Sequence, residues 1–98
     1  SEIRGDYVSV VGAHAAYLTK YPTARVRLQG HTDERGSREY NIGLGERRAQ
    51  TVRKALLLQG VGEGQITTVS YGEEKPLCTA ATEDCWARNR RAEFQVER

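Results

Sequence analysis

The chain has 98 residues and a formal net charge of +2, which fits a single domain with one hydrophobic core and too few residues for two. Because 15 basic and 13 acidic residues nearly balance, no strong field favours nucleic acid or anionic lipid. No apolar run approaches the length of a membrane span, and no signal-peptide pattern opens the chain. The chain contains no methionine, so we expect it to be a piece of a longer precursor, in which any targeting signal or lipid anchor would lie upstream.

The first predicted element is a helix. We expect it to start near Asp6, whose carboxylate suits a capping position, and to end near Lys20, ahead of Tyr21-Pro22. The residues of its expected apolar stripe are Val8, Val11, Ala15 and Leu18.

A strand and a polar loop follow this helix. Charged and apolar residues alternate from Arg25 to Gly30, which predicts a strand with Val26 and Leu28 inward. The stretch 31–37 is a polar loop with glycines as hinges. Loops that lead into a helix are common ligand sites, because free backbone N–H groups point outward there.

The segment Asn41–Leu56 predicts the second helix, which Ser37 can cap and which should end near Gln59-Gly60. Apolar residues recur at helical spacing and define its buried face: Leu44, Val52, Ala55 and Leu56. At about 100° per residue, Arg48 lies roughly 40° from both Leu44 and Val52 and therefore points along the apolar stripe, whereas Arg47 points away. A half-buried guanidinium needs an anion, which either the protein or a ligand must supply.

The C-terminal part predicts two further strands. Residues 65–71 are rich in β-forming types, residues 72–85 form a long loop, and Trp86 to Asn89 suit a single helical turn. Residues 91–97 alternate again, with Ala92, Phe94 and Val96 on one face. The order of elements predicts an α+β fold, a two-layer sandwich with two helices on one face of a small sheet. Three strands make a thin sheet for two helices, so we expect another strand before residue 1.

The two cysteines, Cys78 and Cys85, lie in a polar stretch. They can be free thiols in a reducing compartment or close a short loop in an oxidising one, and the spacing and modest apolar content favour the disulfide. We expect neither a metal site nor a cofactor, because there is no further cysteine and both histidines lie far away in sequence.

Two interpretations fit the candidate site. Asp33 and Arg48 either flank one pocket, where they grip a ligand that carries both an ammonium and a carboxylate group, or simply pair with each other. No serine or cysteine nucleophile accompanies His31, which as a residue type is more often a solvated loop residue, so we do not expect an enzyme. Arg88, Arg90 and Arg91 lie beside Trp86 and either contact nucleic acid or, with more support from the interspersed acids, bond to nearby carboxylates and helix ends.

Several segments carry a family resemblance. The spacing of Asn41, Leu44, Arg48-Ala49, Val52 and Leu56 resembles the helix pattern of the OmpA-like peptidoglycan-binding domains, although Gly45 stands where the family often has serine. Five segments resemble the lipoprotein branch of that family, which works with the Tol system; they are residues 30–36, 39–42, 44–49, 69–76 and 89–92. The resemblance covers nearly the whole chain, so residues 1–98 are expected to form one domain.

The resemblance implies a function and a location. It implies non-covalent binding of the peptidoglycan stem peptide through diaminopimelate, with Asp33 and Arg48 as the gripping side chains. We expect supporting roles for His31, Thr32, Glu34, Asn41 and Leu44. The family's place is the periplasmic face of the Gram-negative outer membrane, where an N-terminal lipid and a flexible tether, both absent here, hold the intact protein.

The resemblance also implies a protein partner and a disulfide, and the chain departs from the family pattern at one point. The partner is a TolB-like periplasmic protein, and the disulfide of some family members agrees with a Cys78–Cys85 bond. Family domains usually open with a short strand that this chain lacks, which would leave a sheet edge exposed. As alternatives, the domain is a protein-interaction module in which Asp33 and Arg48 form a structural salt bridge, or a basic module that binds nucleic acid.

Overall fold

The computed structural model describes residues 5–97, with side chains from Tyr7 onward. Three helices, a 3-10 turn and three strands follow one another in this part of the chain. In order they are α1 (Gly5–Lys20), β1 (Arg25–His31), α2 (Arg38–Leu58), the turn Glu63–Gln65, β2 (Ile66–Gly72), α3 (Glu83–Asn89) and β3 (Arg91–Glu97). Within residues 5–97, no helix combines the length and apolar character needed to cross a membrane.

The sheet has the order β2-β1-β3, with β1 in the centre. β1 runs parallel to β2, with Val26 opposite Ile66, and antiparallel to β3, with Leu28 opposite Phe94. The predicted α+β fold with a small mixed sheet is therefore confirmed. The additional strand expected before residue 1 lies outside the described residues.

The hydrophobic core lies between the sheet and the two long helices. Its buried side chains come from α1, β1 and α2 and from the segments beside them: Val11, Ala15, Leu18, Ala24, Val26, Leu28, Ala49, Val52, Leu56, Val61 and Ile66. Val8 was predicted to belong to this core, but its side chain is 58% exposed. The contact face of α1 is instead centred nearer to Tyr7, whose hydroxyl donates to the carbonyl of Ala92 on β3.

Two glycines bring α2 unusually close to β1. A Cβ atom on Gly30 would lie 1.7 Å from the carbonyl oxygen of Gly45, and one on Gly45 would lie 2.3 Å from the Ser70 hydroxyl. A glycine inside a helix costs about 1 kcal/mol relative to alanine, and close backbone approach is the gain that offsets this cost. The contact fixes where the N-terminal half of α2 lies on the sheet, and hence where Arg48 projects.

The predicted ends of α2 are confirmed. The Ser37 hydroxyl accepts a hydrogen bond from the amide of Tyr40 at the N-terminus, and Gly60 adopts a φ of 93° after the C-terminus. Helix α1 begins at Gly5, so Asp6 lies inside the helix, and the side chain of this predicted cap is outside the described residues.

Helix α3 was predicted too short. It begins at Glu83 rather than at Trp86, because the Thr82 hydroxyl accepts from the amide of Cys85 and caps three further residues into the helix. The disulfide between Cys78 and Cys85 is present, and it ties the preceding loop to this helix. The buried Asn89 side chain reinforces the link, since its amide group bonds to the backbone of Leu77 and Cys78.

Candidate functional site

A pocket of about 240 Å³ opens where the loop after β1 meets the start of α2. Three arginines, one aspartate, one asparagine, one tyrosine and one leucine line it. These residues are Asp33, Arg35, Tyr40, Asn41, Leu44, Arg48 and Arg90. Such a concave site, where a few charged groups converge, is the kind of place where proteins bind small polar ligands.

Arg48 reaches the pocket from α2 and is half-buried, as the helix pattern predicts, whereas Arg47 is exposed. Its Nη1 donates to the main-chain carbonyl of His31 at 2.9 Å. Among the side chains of residues 7–97, no carboxylate lies at ion-pair distance from it, so a neutral carbonyl is the partner that these residues supply. Burial and the neighbouring Arg90 lower the pKa of Arg48, and the guanidinium still keeps its proton.

Asp33 lies in the loop after β1 and faces two other arginines. Arg35 donates to both of its carboxylate oxygens, at 3.2 Å from Nε and 2.7 Å from Nη2, and Arg90 Nη1 donates to Oδ2 at 3.0 Å. The side-chain hydrogen bonds from Arg35, followed by its amide N–H and then by Arg90, hold the pKa of Asp33 well below its usual range. In the described part of the chain Asp33 and Arg48 form no ion pair, so the alternative that they simply pair with each other is wrong.

Asn41 holds the pocket wall together. Its buried amide group donates to the carbonyl of Arg35 at 3.0 Å and to the Glu73 carboxylate at 2.9 Å. One side chain thereby joins the start of α2 to the loop after β1 and to the loop after β2. This role explains why an asparagine on the buried face of a helix is tolerated, since its polar atoms are satisfied.

Four of the seven predicted site residues line the pocket, namely Asp33, Asn41, Leu44 and Arg48. The side chains of Thr32 and Glu34 do not. The Thr32 hydroxyl donates to the carbonyl of Asp33 and supports the loop from beneath, while the Glu34 carboxylate accepts from the Trp86 indole. Adjacent loop residues alternate in direction, so Asp33 faces the pocket and its neighbours face elsewhere.

The expectation for His31 is wrong in two respects. It is a strand residue that is 1% exposed rather than a solvated loop residue, and its side chain lies on the opposite face of the sheet, bonded to Gln29 at 3.2 Å. Burial and the nearby Arg91 lower the pKa of His31 to about 4, so the ring is neutral at pH 7. Its contribution to the pocket is the main-chain carbonyl that Arg48 binds.

Sequence reasoning did not assign Arg35, Tyr40 or Arg90 to this pocket. Arg35 and Tyr40 lie in the two segments that carry the predicted site, so proximity along the chain was a usable signal for them. Arg90 lies 57 residues beyond Asp33, and only its membership in the 89–92 motif pointed to the site.

The arginines near Trp86 form ion pairs with acidic side chains. Arg90 bonds to Asp33 and Glu83, Arg88 lies 3.5 Å from Asp84, and Arg91 bonds to Glu93. These bonds confirm the expectation that the cluster is neutralised locally. They argue against the nucleic-acid alternative, which needs cations free to meet phosphates.

The chemistry of the pocket is that of ion recognition. Its charged groups stay charged across the physiological range, because the pKa of Asp33 is depressed and arginines do not deprotonate. A group that keeps or lacks its proton at all relevant pH values is a poor general acid or base. Among the described residues, no group of three or more histidine, cysteine or acidic side chains is arranged to hold a metal ion.

The chain is similar in sequence to known proteins. The chain is 52% identical over 91 residues to the peptidoglycan-associated lipoprotein of Haemophilus influenzae, a match that covers 93% of this chain and 60% of that protein. It is also 52% identical over 97 residues to the peptidoglycan-associated lipoprotein of Legionella pneumophila, covering 99% of this chain and 55% of that one. The chain thus spans somewhat more than half the length of these relatives.

Solved structures show the same architecture. The crystal structure of the peptidoglycan-associated lipoprotein from Burkholderia pseudomallei superposes with a TM-score of 0.94 at 44% identity, covering 98% of this chain and 81% of that one. The C-terminal domain of Helicobacter pylori MotB shares the fold alone, with a TM-score of 0.87 at 24% identity, covering 99% of this chain and 76% of that one. The model of the OmpA family matches residues 1–90, and the chain belongs to the OmpA family.

Proposed function

We propose that this domain binds peptidoglycan non-covalently through the diaminopimelate residue of the stem peptide. The ligand's side-chain carboxylate would meet Arg48 in a bidentate geometry, and its ammonium group would meet Asp33. The relatives' printed names associate those proteins with peptidoglycan, which supports the same ligand class for this chain.

The observation that carries the proposal is the state of Arg48. Its guanidinium is half-buried, faces the pocket and bonds to a neutral carbonyl of His31. Taking a cation partly out of water without an anion is costly, so an arriving carboxylate would repay that cost with a charge-assisted pair. Arg35 and Arg90 add positive charge to the same walls, which raises the local attraction for an anion.

The same geometry predicts specificity among wall peptides. A stem peptide with lysine in place of diaminopimelate carries the ammonium but lacks the carboxylate. It would leave Arg48 without its anion in a half-dry pocket, which we expect to cost about 2 kcal/mol, or roughly thirtyfold in affinity.

Binding of this kind would serve as an anchor. Each pocket makes a modest contact with one stem peptide, and many copies on a polymeric ligand give a strong attachment through avidity. We propose that the intact protein is lipid-anchored at the periplasmic face of the outer membrane and joins that membrane to the wall as part of the Tol-Pal system. The Cys78–Cys85 disulfide supports an oxidising compartment such as the periplasm.

Calorimetric titration with a soluble stem peptide that contains meso-diaminopimelate tests this proposal, with the lysine peptide measured beside it. We expect clear preference for the first peptide. The variant Arg48→Gln removes the charge and the guanidinium fork while keeping a polar amide group, and it should weaken binding about 10- to 100-fold.

The matched control is Arg47→Gln, an identical change in charge at the exposed neighbouring position of the same helix. It should bind within about twofold of wild type, since exposed charges contribute little at physiological salt. Equal affinity of wild type and Arg48→Gln for the diaminopimelate peptide would refute the clamp.

A protein partner is a second candidate at the same place. Tyr40 lines the pocket although it is 58% exposed, and exposed tyrosines beside arginines are typical of protein interfaces. We propose that a TolB-like protein binds over this rim and competes with the wall. Adding excess stem peptide should then release the partner in a pull-down, whereas a ternary complex would contradict the competition.

A further inference from the structure

The carboxylate of Asp33 is covered in the structure. Its side chain is 8% exposed, and it accepts hydrogen bonds from the amide and the guanidinium of Arg35 and from Arg90. A ligand ammonium therefore has almost no free surface of this carboxylate to approach. For Asp33 to bind it directly, one of the two arginines must give up its place.

Arg35 is the one that can leave. Its side chain is 53% exposed, whereas that of Arg90 is 28% exposed. Arg90 is also held by a second acid, Glu83, while among the side chains of residues 7–97 Asp33 is the acid bonded to Arg35. Moving Arg35 therefore breaks contacts with one carboxylate at the surface, and moving Arg90 breaks contacts with two.

A resting place for the released guanidinium already exists. The Cζ atom of Arg35 lies 4.3 Å from the centre of the Trp86 ring, so the cation can keep its stacking contact while it turns away from Asp33. The indole is fixed on helix α3 and donates to the Glu34 carboxylate at 3.3 Å. The Cys78–Cys85 disulfide anchors that helix in turn.

We propose that Arg35 is an internal competitor for the ammonium position of the pocket, occupying Asp33 in the free domain and giving way to the ligand. This inference rests on the proposed binding of diaminopimelate and adds a determinant of its specificity. The ligand's ammonium gains only the difference between its own bond to Asp33 and the bonds of Arg35 that it replaces. The free domain consequently discriminates mainly by the carboxylate, and Arg35 reduces the contribution of the ammonium group.

A pair of peptides isolates this effect. One contains meso-diaminopimelate, and the other contains 2-aminopimelate, which keeps the side-chain carboxylate and lacks the ammonium group. We define the ammonium preference as the Kd for the second peptide divided by the Kd for the first. General effects of a mutation on fold or on carboxylate attraction act on both peptides and cancel in this ratio.

The test variant is Arg35→Gln, which removes the guanidinium while the main-chain amide of residue 35 can still bond to Asp33. We expect its ammonium preference to exceed that of wild type by about tenfold, the factor that one charged hydrogen bond supplies. The control is Arg38→Gln, an equal change in charge three residues away, whose side chain is 76% exposed and bonds to Glu74. It should leave the preference unchanged.

An unchanged or lower preference in Arg35→Gln would overturn the inference, and a lower one would mean that Arg35 itself contacts the ligand. If wild type binds and Arg48→Gln does not, the proposed function survives that result and only the role of Arg35 is lost. If wild type, Arg35→Gln and Arg48→Gln are all folded by circular dichroism and none of them binds either peptide, the proposed function fails. The inference about Arg35 then fails with it.

Discussion

Reducing the disulfide should destabilise the domain by an amount that follows from its loop. Cys78 and Cys85 are separated by seven positions, and the bond restricts the unfolded chain across that short loop. The chain-entropy relation gives about 2.5 kcal/mol for a loop of this size. For a domain of about 100 residues, this loss corresponds to a fall in Tm of roughly 10–20 °C.

The measurement is urea unfolding of the oxidised domain and of the same domain kept reduced by a phosphine. Using reduced wild type avoids the cavity that Cys85→Ala would create, because Cys85 is 1% exposed. We expect the free energy of unfolding to differ by about 2–3 kcal/mol at similar m-values. A difference below about 0.5 kcal/mol would refute the reasoning, since it would mean that the denatured chain gains little freedom when the loop opens.

Three further predictions concern residues that position or stabilise the site. Gly30→Ala should lower the free energy of unfolding by about 3 kcal/mol or more by urea unfolding, because its Cβ would overlap the backbone of Gly45; a loss below 1 kcal/mol would show that α2 can shift freely. Gln65→Ala should cost about 3 kcal/mol in the same assay, because the Gln65 amide bonds to the main-chain carbonyls of Leu18 in α1 and of Tyr21 and Ala24 in the following loop. A neutral result would mean that water replaces it. Acid should weaken the domain through Asp33: its pKa is depressed in the folded state, so its contribution is present above the unfolded pKa of about 4 and is lost as pH falls below it. Asp33→Asn should therefore flatten the dependence of the urea midpoint on pH between about pH 5 and pH 2, and an unchanged slope would contradict this assignment.

The position of Arg48 could be predicted because it follows from a local rule. A helix repeats every 3.6 residues, so the direction of one side chain follows from the apolar residues one turn away. The same alternation could have placed His31 correctly. Continuing the period of two from Val26 and Leu28 puts His31 on the outer face, and the error came from ending β1 one residue too early at Gly30.

The partners of Asp33 could not be predicted in the same way. Arg35 lies two residues from Asp33 along the chain, and Arg48 belongs to the helix pattern that resembles the family. Residue types alone do not say which of the two bonds to the carboxylate of Asp33. Arg90 reaches the pocket because β3 pairs antiparallel beside β1 and α3 ends there. Such contacts depend on the whole topology, and no local pattern in the sequence encodes them.

The contact between Gly30 and Gly45 has a consequence for how this domain can vary. Helix α2 meets the sheet through main-chain atoms at that point, and Arg48 lies less than one turn further along. The distance from the crossing to the guanidinium is therefore set by backbone geometry rather than by the sizes of neighbouring side chains. Substitutions at Val52 or Leu56 can change stability while the crossing keeps the depth of the pocket constant, so engineers can tune thermal resistance and ligand recognition as two nearly separate properties.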